Sequence, residues 1–129
     1  LLRGDRIIFV TAIPNAHPCE YGGTGWIMEL VALTGTNLID ETPWDINGDG
    51  KFDENDYVTD STDVDGDGDT TEKIPVSGKR SEVGLIKTPG IIYTDQREYK
   101  FTSGSSGGIE KTVESSSIKP GRQSWRQIR

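Results

Sequence analysis

Apolar residues along this chain come in short blocks or alternate with polar ones, and nowhere do they recur at a sustained helical spacing. Ile7-Ile8-Phe9-Val10 is a continuous β-branched and aromatic run ended by Pro14, which predicts a strand buried on both faces. Residues 25–35 form a second extended block closing on the Thr34-Gly35 turn, after which 37–39 resume extended chain, so this stretch reads as a hairpin. Residues 84–93 are extended and interrupted by Pro89-Gly90. Residues 97–102 alternate strictly, with Tyr99 and Phe101 on one face and Glu98 and Lys100 on the other. Ile109, Lys111 and Val113 alternate in the same way, and 123–128 reads as a last strand. An all-β chain follows, apart from whatever helix flanks the acidic loop described next.

The acidic residues change that picture locally. Of 21 acids in 129 residues, thirteen lie between Asp40 and Glu72 against a single base, Lys51. That segment carries −12, and the rest of the chain +5, for the overall −7. Charge of this density repels itself and calls for counterions, which favours a divalent metal and argues against nucleic acid or an anionic membrane as partner. Its spacing is specific. Within 45–56, oxygen-bearing side chains stand at loop positions 1, 3, 5, 9 and 12 (Asp45, Asn47, Asp49, Asp53, Asp56), with Gly50 at position 6. Ca²⁺ takes six to eight oxygens, and a twelve-residue loop wraps it only if the backbone turns sharply midway. Lys51 at position 7 would contribute its carbonyl. Asp56 stands where such loops carry a bidentate Glu, one methylene shorter.

A second string repeats the opening half of that loop, with Asp63, Asp65 and Asp67 at positions 1, 3 and 5, Gly68 at 6 and Asp69 at 7. Its position 12 is Ile74, which has no ligating side chain. A second ion would therefore draw on Asp69 or Glu72, or both strings would share ions.

Other candidate chemistry is weaker. Arg3-Gly4-Asp5 spells an integrin-binding tripeptide, but Gly-Asp before a strand is ordinary turn chemistry. His17 and Cys19 would share a strand face with nothing to complete a site, and Cys19, the single cysteine, can form no disulfide within the chain. Gly104-Ser105-Ser106-Gly107-Gly108 matches the hydrolase elbow G-x-S-x-G, yet a strand follows it instead of a helix, and the only histidine precedes it. No catalysis is expected.

Three ordered blocks resemble the C-terminal β-propeller region of the PilY family, the tip-associated adhesins and biogenesis factors of bacterial type IV pili. They are Arg6-Ile7-Ile8-Phe9-Val10-Thr11-Ala12-Ile13-Pro14-Asn15 with Pro18-Cys19 and Gly23-Thr24-Gly25-Trp26-Ile27-Met28-Glu29-Leu30; the 45–56 loop with Val76-Ser77-Gly78, Ser81-Glu82-Val83-Gly84 and Lys87-Thr88-Pro89; and Ser103-Gly104-Ser105-Ser106-Gly107-Gly108-Ile109-Glu110 with the ending Gly121-Arg122-Gln123-Ser124-Trp125-Arg126-Gln127-Ile128-Arg129. The resemblance implies about two blades of a modified quinoprotein-like propeller over 1–129, with an acidic calcium-binding insert at 40–75. Without that insert the chain has the length of two blades of roughly 40–50 residues, so further blades are expected upstream. The acidic string at 60–72 is an addition to the usual single loop.

The resemblance further implies an exported protein at the pilus tip or outer membrane, with Ca²⁺ held by Asp45, Asn47, Asp49, Asp53, Asp56 and the Lys51 carbonyl. Calcium occupancy would favour pilus extension, and release would permit retraction. Expected partners are minor pilins and a host or abiotic surface receptor. Two other readings compete. A quinone-dependent dehydrogenase fragment would need a cofactor cavity that no residues here supply, so no quinone is expected. A dockerin-like interaction module would need two complete loops with helices.

Overall fold

The computed structural model describes residues 1–17, 22–38, 42–63, 66–94 and 96–116. Cys19, Asp65 and the strand expected at 123–128 lie outside them. The described chain is all-β, with a single 3₁₀ turn at Glu54–Asp56. Among the described residues no helix is long and apolar enough to cross a membrane.

Among the described residues nine strands form three antiparallel sheets. β1 (Leu2–Arg3), β2 (Arg6–Pro14), β3 (Gly23–Val31) and β6 (Gly78–Arg80) make the first, in the order β1-β2-β3-β6. β7 (Gly90–Tyr93), β8 (Arg97–Ser103) and β9 (Ile109–Ser115) make the second, in chain order. Between β3 and β6 the chain leaves the first sheet to form the acidic loops, where β4 (Val58–Thr59) pairs with β5 (Lys73–Ile74) as a small separate hairpin.

Local chemistry explains the turns. Gly4 and Asp5 are the two residues between β1 and β2, with Gly4 at φ 57°, so the Arg-Gly-Asp sequence is a hairpin turn here. Its arginine is committed elsewhere, since Arg3 Nη2 donates to Glu98 Oε1 at 3.1 Å and its guanidinium lies over the Tyr93 ring. Residues 104–108 turn β8 into β9, closed by Gly104 N–H donating to the Gly108 carbonyl at 2.9 Å. The Ser105 hydroxyl oxygen accepts from Leu85 N–H at 3.1 Å, and β9 follows directly, which is not the geometry of a nucleophile elbow.

The inner faces of the two larger sheets meet over a small apolar cluster of Ile8, Ile27, Trp44 and Ile86, flanked by Val10, Val76, Val83 and Ile91. The rest of the layer between them is ionic. Lys100, fully buried, donates from Nζ to Glu29 Oε1 at 2.7 Å and also contacts Glu114 Oε2. Arg6 Nη1 lies 3.5 Å from Glu29 Oε2, and Glu98 holds Arg3. Burial lowers the Lys100 pKa, opposed by the charge and hydrogen bond of Glu29 and by the charge of Glu98. Three cations and three carboxylates thus balance between sheets, consistent with the rule that buried charges occur paired.

The alternation expected of β8 is present, but its charged and hydroxyl face is the covered one. Glu98, Lys100 and Thr102 are buried, while Phe101 is 36% exposed. The expectation that the 7–10 run is buried on both faces also needs correcting: Ile8 is buried, whereas Ile7 and Phe9 are 39% and 38% exposed. No further layer of described residues covers the outer side of the first sheet, where Trp26 is likewise exposed.

One clamp ties the edge of the first sheet to β9. Lys79 Nζ donates to Glu110 Oε1 at 2.9 Å, and Glu82 N–H donates to Glu110 Oε2 at 3.2 Å. Burial pushes the Glu110 carboxyl up, but the Lys79 hydrogen bond and charge outweigh it together with the Glu82 and Ser81 donors, so its pKa lies below that of an ordinary glutamate. A folded pKa below the unfolded one gives stability that is complete above the unfolded value and is lost as pH falls through the folded value. Melting temperature should therefore fall between about pH 6 and about pH 3. Glu110→Gln should lower it at neutral pH and make that acid decline shallower; an identical decline in both proteins would show that the clamp contributes nothing.

Candidate metal centre

Two acidic loops occupy the excursion between β3 and β6. The first departs from the second sheet. Trp44 forms a bridge with Glu114 of β9, Ser115 N–H donates to the Pro43 carbonyl at 2.9 Å, and Trp44 Nε1 donates to the Val76 carbonyl at 3.0 Å. The Trp44 side chain is buried in the core, so the loop starts from a fixed point.

From there the carboxylates fold the backbone around themselves. Asp45 accepts from Gly48 N–H at 2.8 Å on one oxygen and from Gly50 N–H at 3.0 Å on the other. Asn47 Oδ1 accepts from Asp49 N–H, and Asp49 Oδ1 from Lys51 N–H, at 2.8 and 2.7 Å. Gly50 has φ +79°, the left-handed conformation that the sixth loop position demands and that side-chain-bearing residues disfavour. Asp53 and Asp56 cap the 3₁₀ turn reciprocally, with Asp53 accepting from Asn55 N–H at 2.9 Å and Asp56 accepting from Asp53 N–H at 3.2 Å.

Asp56 does more than cap. Its other oxygen accepts from Ile46 and Asn47 N–H at 2.8 and 3.1 Å, so this fully buried carboxylate joins the two ends of the loop. Asp56, the expected closing ligand, thus also closes the loop by hydrogen bonds, with both oxygens accepting from backbone. Lys51 is exposed, and its N–H contributes to the loop as described.

The second string repeats this construction. Asp63 accepts from Gly66 N–H at 2.7 Å and from Gly68 N–H at 3.1 Å, the same i+3 and i+5 donors that Asp45 uses. Asp67 accepts from Asp69 N–H at 2.7 Å, as Asp49 does from Lys51. Asp69 is turned to Thr71, whose hydroxyl and N–H hold its carboxyl below the usual range. Ile74, at position 12, is paired with Val58 in the β4–β5 hairpin. Glu72, whose carbonyl accepts from Asp60 N–H, arrives two residues earlier at the neck of that hairpin. Among the described residues, the one trio of carboxylates whose oxygens come within 4.8 Å of one another is Asp63, Asp67 and Glu72. The first loop does not bring three of its carboxylates that close.

Comparison with known protein families, with curated proteins and with solved structures finds no match. Carboxylate, amide and carbonyl oxygens without nitrogen or sulfur suit a hard divalent cation such as Ca²⁺ or Mg²⁺. The backbone fit is also good, since Asp45 and Asp63 are already locked in orientation by two glycine N–H groups each.

Sequence patterning missed one residue of this region. Arg97 of β8 donates from Nη2 to the Gly50 carbonyl at 2.6 Å, fixing the loop's turn to the second sheet. Forty-seven residues separate the two, so no local pattern could have paired them.

Proposed function

We propose that this chain is a calcium-binding, non-catalytic segment of a type IV pilus tip adhesin or biogenesis factor of the PilY kind, exported to the cell surface. The observation that carries the calcium reading is the duplicated loop construction, in which Asp45 and Asp63 each accept from glycine N–H groups three and five residues on. Asp45, Asn47, Asp49, Asp53, Asp56 and the Lys51 carbonyl would serve the first ion. Asp63, Asp67 and Glu72 would serve the second, with Asp65 and Asp69 as further candidate ligands. When bound, calcium would supply the positive charge that thirteen acids in 33 residues lack, so its binding and the ordering of the insert are linked.

The propeller reading is supported by two antiparallel sheets stacked face to face, each with apolar side chains left on its outer side, such as Ile7 and Phe9 on one and Ile92 and Phe101 on the other. Stacked blades need such faces on both sides. Pilus extension and retraction under calcium control, minor pilins and a surface receptor belong to the same proposal and rest on the family resemblance. The loops favour this reading over a dockerin-like one, because their flanks are short strands and one 3₁₀ turn, not helix pairs.

Calcium titration calorimetry on the full chain tests the metal assignment. Two ions are expected. Asp45→Ala/Asp49→Ala and Asp63→Ala/Asp67→Ala should each remove one, and calcium at about 100 times its dissociation constant should stabilise the parent by about 2.7 kcal/mol for each ion bound. If both double variants titrate like the parent, neither loop binds calcium.

A further inference from the structure

Lys100 and Glu114 meet diagonally on the inner faces of two neighbouring strands. Lys100 of β8 stands opposite Thr112 of β9, and Glu114, two residues further along, stands opposite Glu98. Both side chains are fully buried, and Lys100 Nζ rests directly against Glu114 Oε2. The carboxyl is otherwise poorly served. Neither of its oxygens accepts a hydrogen bond, its one ion-pair partner among the described residues is Lys100, and its cross-strand neighbour is a second glutamate. Buried polar atoms are nearly always satisfied, and like charges directly opposite each other destabilise a sheet. Lys100, by contrast, is well placed to shed a proton. Its Nζ donates to Glu29 Oε1 at 2.7 Å, within the reach of a general base, and burial lowers its pKa against the opposing charge and hydrogen bond of Glu29. Trp44, with its ring centre 5.8 Å from Nζ, is buried as completely as Glu29, so the whole group is shut off from water.

We propose that Lys100 and Glu114 become joined by an isopeptide bond, formed once by the folded chain on itself. Paired strands hold the amine against the carboxyl, which gives this reaction the proximity that two separate molecules lack. Glu29 takes a proton from the Lys100 ammonium, and the free amine, a nucleophile activated by desolvation, adds to Glu114 Cδ. The Nζ–Cδ bond forms and the Cδ–Oε2 bond breaks. Of the three ammonium protons, one stays on the amide nitrogen and two leave with Oε2 as water, carried by Glu29, which ends ionised as it began. No oxidant or co-reactant is consumed.

The product suits the site better than the ion pair does. One cation and one carboxylate disappear together, leaving Arg6 with Glu29 and Arg3 with Glu98, so the layer stays neutral. Glu98 then no longer faces a second carboxylate, and the unmet demand at Glu114 falls from two charged oxygens to one neutral carbonyl. The Lys79–Glu110 clamp on the same strand is an internal contrast. Its lysine is 38% exposed and its glutamate also accepts from Glu82 N–H, so water and backbone satisfy that pair and no bond is expected there.

Mass spectrometry of the full chain, incubated folded and then denatured, reads the outcome. The parent should be lighter than its sequence mass by one water, and fragmentation of a protease digest should place that loss on a link between Lys100 and Glu114. Asp-Gly steps such as Asp49-Gly50 and Asp67-Gly68 can also lose water by cyclising. That loss would persist in Lys100→Arg, which keeps the positive charge but should hold the chain at its full mass. Glu29→Gln still accepts a hydrogen bond from Lys100 but cannot carry the proton, and should slow closure at least about a hundredfold. Equally fast closure in that variant overturns the role given to Glu29. Where circular dichroism shows a variant to be unfolded, the digest of the parent decides alone. A parent at its full sequence mass, or a water loss that maps elsewhere, overturns the proposal and leaves Lys100 and Glu114 as an ion pair.

Discussion

Lys100→Met is expected to destabilise the fold by about 3–5 kcal/mol, the range for removing one partner of a buried ion pair. Lys100 is the meeting point of the ionic layer, holding Glu29 at 2.7 Å and touching Glu114. Among the described residues Glu114 has no other ion-pair partner, and its second oxygen, Oε1, accepts no hydrogen bond. Methionine matches the length of the lysine stem and would still pack on Trp44, whose ring centre lies 5.8 Å from the ammonium. What it removes is the charge, leaving Glu29 with Arg6 and Glu114 with no ion-pair partner among the described residues. Since small domains hold only about 5–15 kcal/mol in total, the urea midpoint should drop by more than about 1 M without a change in slope. Lys100→Met/Glu114→Gln should recover part of the loss by restoring the balance of charge. A midpoint shift of less than about 0.3 M in the single variant would show that the layer is solvated and of little weight.

Asp56→Ala should have the second largest effect, about 3–5 kcal/mol of stability, with calcium binding to the first loop abolished. Three backbone N–H groups, those of Ile46, Asn47 and Asp53, converge on this one buried carboxylate. Hydrogen bonds to a charged acceptor contribute about 1.5–3 kcal/mol each, discounted because the loop can relax and rehydrate. Asp56→Asn retains one acceptor oxygen and should lose about half as much. The distinguishing measurement is thermal melting in excess EDTA, where a residue acting only as a metal ligand would have no effect. If Asp56→Ala melts with the parent under those conditions, loop closure does not depend on this carboxylate.

Much of this architecture can be read from local sequence. The β-branched and aromatic run of β2, the extended block of β3, the Gly4-Asp5 and 104–108 turns, and the spacing of Asp45, Asn47, Asp49 and Gly50 are short-range features whose physics is contained in a few neighbouring residues. What local sequence cannot supply is the partner. Alternation in β8 reveals that Tyr99 and Phe101 oppose Glu98 and Lys100, but which face is covered depends on Arg3 and Glu29, the latter 71 residues from Lys100. The 7–10 run suggested cover on both sides because apolarity marks a face suited to burial, whether or not a second layer is among the described residues. In the second acidic string, the absence of an acid at Ile74 was legible. The placement of Glu72 with Asp63 and Asp67 was not determined by spacing, because it arises from the β4–β5 pairing.

The ionic layer also bears on which strand pairings the chain can adopt. Sliding β8 by one residue against its neighbours would exchange its two faces, bringing Tyr99 and Phe101 inward and turning Glu98, Lys100 and Thr102 to water. By hydrocarbon alone that misaligned pairing would be the better one. It would, however, strand Arg6 and Glu29 against aromatic rings, with the opposing lysine gone. We read the layer as a register key: charges from distant parts of the chain make the greasier alternative the costlier one, and so select among folds that hydrophobicity would rank in the wrong order.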